Sequence, residues 1–181
     1  MELKHGRPES CTGREEREIG VYDLLDSLGI GYERVDHEAA NTMEECLAIE
    51  GVLGARICKN LFLTNRQQTA FYLLMMPGDK VFKTKELSAQ IGSARLSFGS
   101  GEKMTELLNC PPGSASLMGL LYDGDGRVQL LVDDDLLRDD TIGCHPCRNT
   151  STLRLRTADA FGPFLRAVRH EMRTVVLKGE E

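Results

Sequence analysis

Ten consecutive residues, Gly143-Cys144-His145-Pro146-Cys147-Arg148-Asn149-Thr150-Ser151-Thr152, put one imidazole, two thiols, a carboxamide and three hydroxyls side by side. Gly143 and Pro146 impose a bend on that stretch. An imidazole titrates near neutrality, so His145 can bound a polar pocket or hold a proton there. It equally fits an ordinary structural histidine. Cys144-His145-Pro146-Cys147 carries zinc-compatible atoms, but a structural zinc needs four protein ligands. The chain has no second CxxC and no HxxxH, leaving Cys46, Cys58 or Cys110 to complete such a site. A redox CxxC belongs at the first turn of a helix after a strand. Pro146 and the following Asn-Thr-Ser-Thr favour an extended path instead.

A second polar cluster lies far upstream, where Lys59 and Asn60 interrupt the apolar run from Ile57 to Leu63. On a strand Cys58, Asn60 and Phe62 share one face and Lys59, Leu61 and Leu63 the other. Lys59 reads either as an edge-strand lysine reaching water or as a cation at a pocket rim, placed to meet a phosphate or a developing negative charge. Pro111-Pro112-Gly113-Ser114-Ala115-Ser116 is a loop of small residues whose amides can approach a ligand closely. Two or three such amides make an oxyanion hole; an ordinary turn is the simpler reading. No Gly-x-Ser-x-Gly elbow points to a serine hydrolase, and no GxxxxGK[ST] or GxGxxG motif points to a nucleotide site.

The elements that must position these groups are legible from pattern. Val21, Leu24, Leu25 and Leu28 recur at helical spacing over 15–28, and Gly29 stops the helix. Tyr32 to Asp36 reads as a strand. Thr42-Met43-Glu44-Glu45 is a capping box that predicts a helix to about Ile49. The stretches 57–65 and 69–76, linked by Arg66-Gln67-Gln68, predict a hairpin. Helices are expected over 84–90 and from Ser100 through Leu108, with a strand over 95–98. Leu117 to Tyr122 and Arg127 to Val132 flank Asp123-Gly124-Asp125-Gly126, which predicts a second hairpin. Leu153 to Leu155 is a strand, Thr157 is expected to cap a final helix, and 174–177 to add an edge strand. Frequent hairpins without strict alternation predict an α+β fold, a mixed, largely antiparallel sheet with helices around it.

At 181 residues, 41% hydrophobic and 28% charged, the chain has the balance of one soluble globular domain, read as 15–178 behind a flexible tail over 1–14. No apolar run approaches the roughly 18 residues of a membrane span. The N-terminus lacks the apolar segment of a secretory signal, so a cytoplasmic protein with reduced thiols is expected. The net charge of −6 argues against non-specific binding to long nucleic acid such as DNA. It leaves room for a small footprint carried by a local patch.

Five segments in order resemble a known family: Cys58-Lys59-Asn60-Leu61-Phe62-Leu63, Ala94-Arg95-Leu96-Ser97-Phe98, Pro112-Gly113-Ser114, Gly119-Leu120-Leu121-Tyr122-Asp123, and His145-Pro146 with Asn149-Thr150-Ser151-Thr152. The pattern is similar to the YbaK/ProX family of trans-editing aminoacyl-tRNA deacylases, in its ProX (PrdX) branch, itself similar to the insertion domain of bacterial prolyl-tRNA synthetase. The resemblance implies a partly closed mixed sheet, no metal or other cofactor, and hydrolysis of alanine mischarged onto proline tRNA; the alternatives are deacylation of Cys-tRNA(Pro) or of a Ser- or Thr-charged tRNA, or a non-catalytic module that binds tRNA or a synthetase. It implies a lysine at Lys59 that holds the terminal phosphate or ribose, a pocket histidine at His145, and an oxyanion loop beginning at Gly113 and Ser114. Asn60, Ala115, Ser116, Asn149, Thr150 and Arg95 are expected to bind substrate, with Asn149 ordering His145. Lys80, Lys83 and Arg95 are expected to meet the acceptor end of tRNA(Pro). Prolyl-tRNA synthetase is the second implied partner, and a monomer or weak homodimer the implied state. Leu117 stands where the family's loop often has proline, and His37-Glu38 where relatives have His-Pro.

Overall fold

The computed structural model describes residues 1–179, which run β1 (Leu3–His5), α1 (Glu16–Ser27), β2 (Tyr32–Asp36), α2 (Met43–Leu53), β3 (Cys58–Thr64), β4 (Phe71–Pro77), α3 (Thr84–Ile91), β5 (Ser97–Phe98), α4 (Gly101–Leu108), β6 (Val128–Asp133), β7 (Thr141–Cys144), β8 (Ser151–Arg156), α5 (Thr157–Phe161), α6 (Pro163–Ala167) and β9 (Met172–Val175). Short 3-10 helices span Leu117–Tyr122 and Asp134–Arg138. Two sheets result. One has the order β1-β2-β8-β7, the other β5-β3-β4-β6-β9.

Local chemistry accounts for much of this. Thr42 accepts the Glu45 amide at 3.2 Å while the Glu45 carboxylate takes the Thr42 amide at 2.9 Å, and α2 runs on to a left-handed Gly54. Ser100 accepts the Lys103 amide and starts α4. In the turn between β3 and β4 the Asn65 side chain accepts the amides of Thr69 and Ala70, at 2.9 and 3.1 Å, and sets the hairpin register Cys58↔Pro77 to Thr64↔Phe71.

The main core lies between the two sheets. Cys58, Phe62, Leu73 and Met75 from one meet Ile142, Cys144, Leu153 and Leu155 from the other, with Tyr22 and Leu25 of α1 closing one side. A smaller core on the outer face of the five-stranded sheet packs Leu63, Leu74, Met76 and Leu131 against Leu87 of α3. The sheets touch where Ile57 bridges Gly143, whose amide donates to the Arg56 carbonyl at 2.9 Å. A Cβ on Gly143 would lie 3.0 Å from the Leu53 side chain, so this contact depends on glycine. The architecture is thus a mixed α/β fold, with one antiparallel and one mixed sheet.

Four expectations change. Leu117–Tyr122 is a 3-10 turn and not a hairpin strand, because Leu117, Met118 and Leu120 are all buried and Ser116 caps the Met118 amide at 3.1 Å. β6 therefore joins the sheet parallel to β4. The helix after β8 is broken at Gly162-Pro163 into α5 and α6, and the Thr157 hydroxyl donates to the Asp139 carbonyl instead of capping it. The segment 95–98 forms a strand only at Ser97 and Phe98. The segment 1–14, expected as a flexible tail, carries β1 paired with β2 and an Arg14 that grips Asp36 through two bonds of 2.9 Å. Among the described residues no helix is long and apolar enough to cross a membrane.

Candidate active site

β7 ends at Cys144, and His145 begins the loop that returns the chain into β8 at Ser151. Cys147 takes a left-handed conformation, φ 61°, which tightens that return. The loop places the His145 Nδ1 2.8 Å from the Ser151 carbonyl. A carbonyl can only accept, so Nδ1 carries the proton and Nε2 is a bare acceptor in the neutral ring. Thr152 Oγ1 lies 3.4 Å from the same Nδ1 and 2.8 Å from His37 Nε2. His37 Nδ1 is 2.7 Å from the Glu38 carbonyl, so it donates there and Nε2 accepts the Thr152 hydroxyl. The two imidazoles stand 6.1 Å apart, joined through that hydroxyl. Burial pushes the pKa of His145 down, the Ser151 bond opposes the shift, and His37 adds to it. His145 is therefore neutral near pH 7, with an acceptor turned to the site.

Opposite stands the edge of β3. β5 pairs only with Leu63 and Thr64 and the Gly99 amide takes the Phe62 carbonyl, so the edge from Cys58 to Leu61 is left without a strand partner. A cleft of about 390 Å³ runs along it, bounded by Asn60 and Phe62 of β3, Phe98 and Gly99, Gly113 and Ala115, His145, and Ala40 and Cys46 at the approach to α2. The Asn60 Nδ2 donates to the Cys58 carbonyl at 3.0 Å, while its Oδ1 is buried with no partner. A buried acceptor left unpaired costs about 1–3 kcal/mol, which a ligand N–H would recover.

The small-residue loop supplies donors. Gly113 adopts φ 86°, a conformation that glycine tolerates. Neither the Gly113 nor the Ala115 amide bonds to another group among the described residues, and both residues border the cleft. Ser114 and Ser116 do not. Ser114 is buried, and both its amide and its hydroxyl donate to the Pro111 carbonyl, at 3.0 and 2.7 Å. The Ser116 hydroxyl donates to the His145 carbonyl at 2.5 Å and so ties this loop to the histidine loop. Asn149 clamps Ala40 through both amide atoms, at 2.8 and 3.3 Å, and lies beside Gly113. It does not bond the His145 ring, whose orientation comes from Ser151 and Thr152. Thr150 contributes a carbonyl that accepts the His37 amide at 3.0 Å.

The structure does not bring every expected residue to this cleft. Lys59 shares its sheet face with Leu61 and Leu63, and its ammonium donates to the Lys80 carbonyl at 2.7 Å. It does not border the cavity that His145 borders. Arg95 is exposed in a separate depression beside Thr84, Lys85 and Ser88. The Lys80 ammonium is held by Asp133 and Asp135 at 2.8 and 2.6 Å. Cys144 and Cys147 are buried. Burial raises the Cys144 thiol to about 12, and a bond from Cys110 together with burial raises Cys147, so both stay protonated near neutrality. Among the described residues no three His, Cys, Asp or Glu side chains converge as a metal site. Sequence reasoning missed His37 and Thr152 as partners of His145. The one signal was the histidine at 37, in the position where relatives carry His-Pro.

Comparison with known proteins places this geometry. The model of the aminoacyl-tRNA editing domain family matches residues 37–161, which span every cleft residue named above. The prolyl-tRNA editing protein ProX of Acetoanaerobium sticklandii is 32% identical over 139 residues, 77% of this chain and 85% of that protein. The prolyl-tRNA synthetase associated domain-containing protein 1 of Mus musculus is 31% identical over 152 residues, 81% of this chain and 88% of that one. The crystal structure of a hypothetical protein shares the fold with a TM-score of 0.66 at 18% identity, covering 88% of this chain and 98% of that one.

Proposed function

The chain belongs to the aminoacyl-tRNA editing domain family, and from that premise we propose that it hydrolyses the ester of a mischarged tRNA(Pro), with alanine as the amino acid removed and the acceptor end of the tRNA as its partner. One observation carries the reading. The cleft bordered by His145 and Asn60 brings together two acceptors, His145 Nε2 and Asn60 Oδ1, and two free donors, the amides of Gly113 and Ala115. An aminoacyl ester needs that pair of features. Its α-ammonium donates, and its carbonyl oxygen gains negative charge as water adds.

The residues divide the work accordingly. The Gly113 and Ala115 amides take the developing oxyanion; removing one donor of this kind costs about 100- to 1000-fold in rate. Neutral His145 and Asn60 hold the α-ammonium and fix the ester against those amides. Ser114 and Ser116 have engaged hydroxyls, the buried thiols are protonated, and partial burial with Glu50 and Glu45 raises the pKa of the Cys46 thiol at the cleft border, so no side chain is activated as a nucleophile. Water attacks directly. Its oxygen bonds the carbonyl carbon, the bond from that carbon to the ribose oxygen breaks, one water proton ends on the ribose oxygen, and the other is released as the new carboxyl group ionises. An ester in correct position needs modest help. A prolyl site cannot strongly exclude a smaller apolar amino acid, which is why a second, hydrolytic site is required.

The test is a deacylation panel of tRNA(Pro) charged with alanine, cysteine, serine, threonine or proline. Faster release of alanine than of the other four is expected, and His145→Ala should slow it at least about tenfold. Equal rates across the panel overturn the choice of alanine. Binding of tRNA with no release of any amino acid overturns the hydrolytic reading in favour of a tRNA-binding module.

A further inference from the structure

Phe98 is an aromatic ring that is 65% exposed at the lip of the cleft. Exposed apolar side chains scattered singly need no explanation, but this one has a built setting. Its backbone is fixed by the pairing Phe98↔Leu63 and by the Gly99 amide, which donates to the Phe62 carbonyl at 2.9 Å. Its ring is held edge-on by Phe82, with centroids 6.0 Å apart at 62°, and Phe82 packs on the outer core. Cross-strand partners share a face, so Phe98 lies on the outer face of β3 together with Leu61 and Lys59.

Cations lie near this pair along the chain. Lys83 follows Phe82, the Lys59 ammonium reaches the carbonyl of Lys80 two residues before Phe82, and Arg95 lies three residues before Phe98. Among the described residues none of the three pairs with a carboxylate. A fixed aromatic face flanked by unpaired cations is the arrangement that binds an unpaired nucleic-acid strand, by base stacking and phosphate contact. Resting on the editing reading above, we propose that Phe98 is the stacking platform for a base of the single-stranded 3′ end of tRNA, with Lys59, Lys83 and Arg95 taking its phosphates. The strand crosses the uncovered edge of β3. Its bases and phosphates lie on the outer face, and the aminoacyl ester dips over the edge to Asn60 and His145. This gives Lys59 a role outside the chemistry, on the side of β3 where the structure places it.

The experiment compares wild type, Phe98→Ala and Phe98→Trp for kcat and KM with aminoacylated tRNA, and for quenching of 2-aminopurine in the terminal unpaired nucleotides of uncharged tRNA. Loss of one stacked base raises KM about 5- to 150-fold. Phe98→Ala should show that rise with kcat changed little, the mark of lost uniform binding, and lose the quenching. Phe98→Trp should keep both within a few-fold of wild type. Replacing Lys59, Lys83 and Arg95 together by Ala should flatten the salt dependence of binding by about 0.7 log unit per cation. A Phe98→Ala enzyme with wild-type KM and quenching overturns the platform while leaving the editing reading intact. A wild type that quenches the probe but releases no amino acid overturns the editing reading and leaves the platform standing. Loss of synthetase binding in Phe98→Ala with tRNA binding unchanged overturns the proposal in favour of a protein-docking surface.

Discussion

Asn60→Ala separates a ligand-binding side chain from a structural one. In the folded chain Asn60 makes one bond, Nδ2 to the Cys58 carbonyl at 3.0 Å, and buries Oδ1 with none. Losing the bond costs about 0.5–1.5 kcal/mol, and removing the unpaired acceptor returns about 1–3 kcal/mol. The net effect on stability lies between about 0.5 kcal/mol against the variant and about 2.5 kcal/mol in its favour. At 2–4 °C per kcal/mol for a chain of this size, Tm should fall by no more than about 2 °C or rise by up to roughly 10 °C. Catalysis should move the other way. A bond from Oδ1 to the α-ammonium of the ester is charge-assisted and contributes about 1.5–3 kcal/mol. Its loss lowers kcat/KM about 10- to 150-fold. The assay is thermal unfolding of both proteins beside steady-state deacylation of alanyl-tRNA(Pro). A Tm lowered by about 4 °C or more with kcat/KM within about twofold of wild type would refute the reasoning, because Asn60 would then serve the fold and not the ligand.

Acid should weaken the protein through His145. The unfolded imidazole takes up its proton near pH 6.5, whereas burial depresses the folded pKa below that. Between the two the unfolded state binds more protons, so stability falls as pH drops below about 6.5. Urea midpoints at pH 7.5 and 5.5 should show that fall, and His145→Gln should reduce it. Asp36 acts in a lower window. Burial works against its charge, yet Arg14 and Arg34 hold its pKa down to about 2, so its contribution persists to about pH 4 and is lost below. Thr152→Val removes the hydroxyl between the two imidazoles and leaves His37 Nε2 without its donor. A loss of about 1–3 kcal/mol is expected, read as a lower Tm, with kcat reduced more than KM is raised, because His145 loses its support and not its contact with substrate. A kcat unchanged in that variant would show that the ring is held by Ser151 alone.

Several elements of the site were present in local chemistry. The capping box at Thr42 and Glu45, the cap at Ser100 and the hairpin around Asn65 are interactions between residues at most five apart, so sequence spacing alone implies them. The small loop after Pro111 and the polar stretch after Gly143 were recognisable for the same reason. The alternation of β3 was legible too, including that Asn60 and Lys59 point to opposite faces. Which of those faces meets the cleft was not, because that depends on where the second sheet docks. Docking through Ile57 and Gly143 put Asn60 on the side of His145 and left Lys59 outside. Burial of Leu117, Met118 and Leu120 turned an apparent strand into a 3-10 helix, and the parallel pairing of β6 with β4 joins residues more than fifty positions apart. The link from His37 through Thr152 to His145 spans 115 positions in its longer step. Sequence determined the short-range bonds and the residue types available for catalysis. Tertiary packing decided which of them face one another, because the free energy that selects a docking face is summed over a core of distant side chains and leaves no signature at any one position.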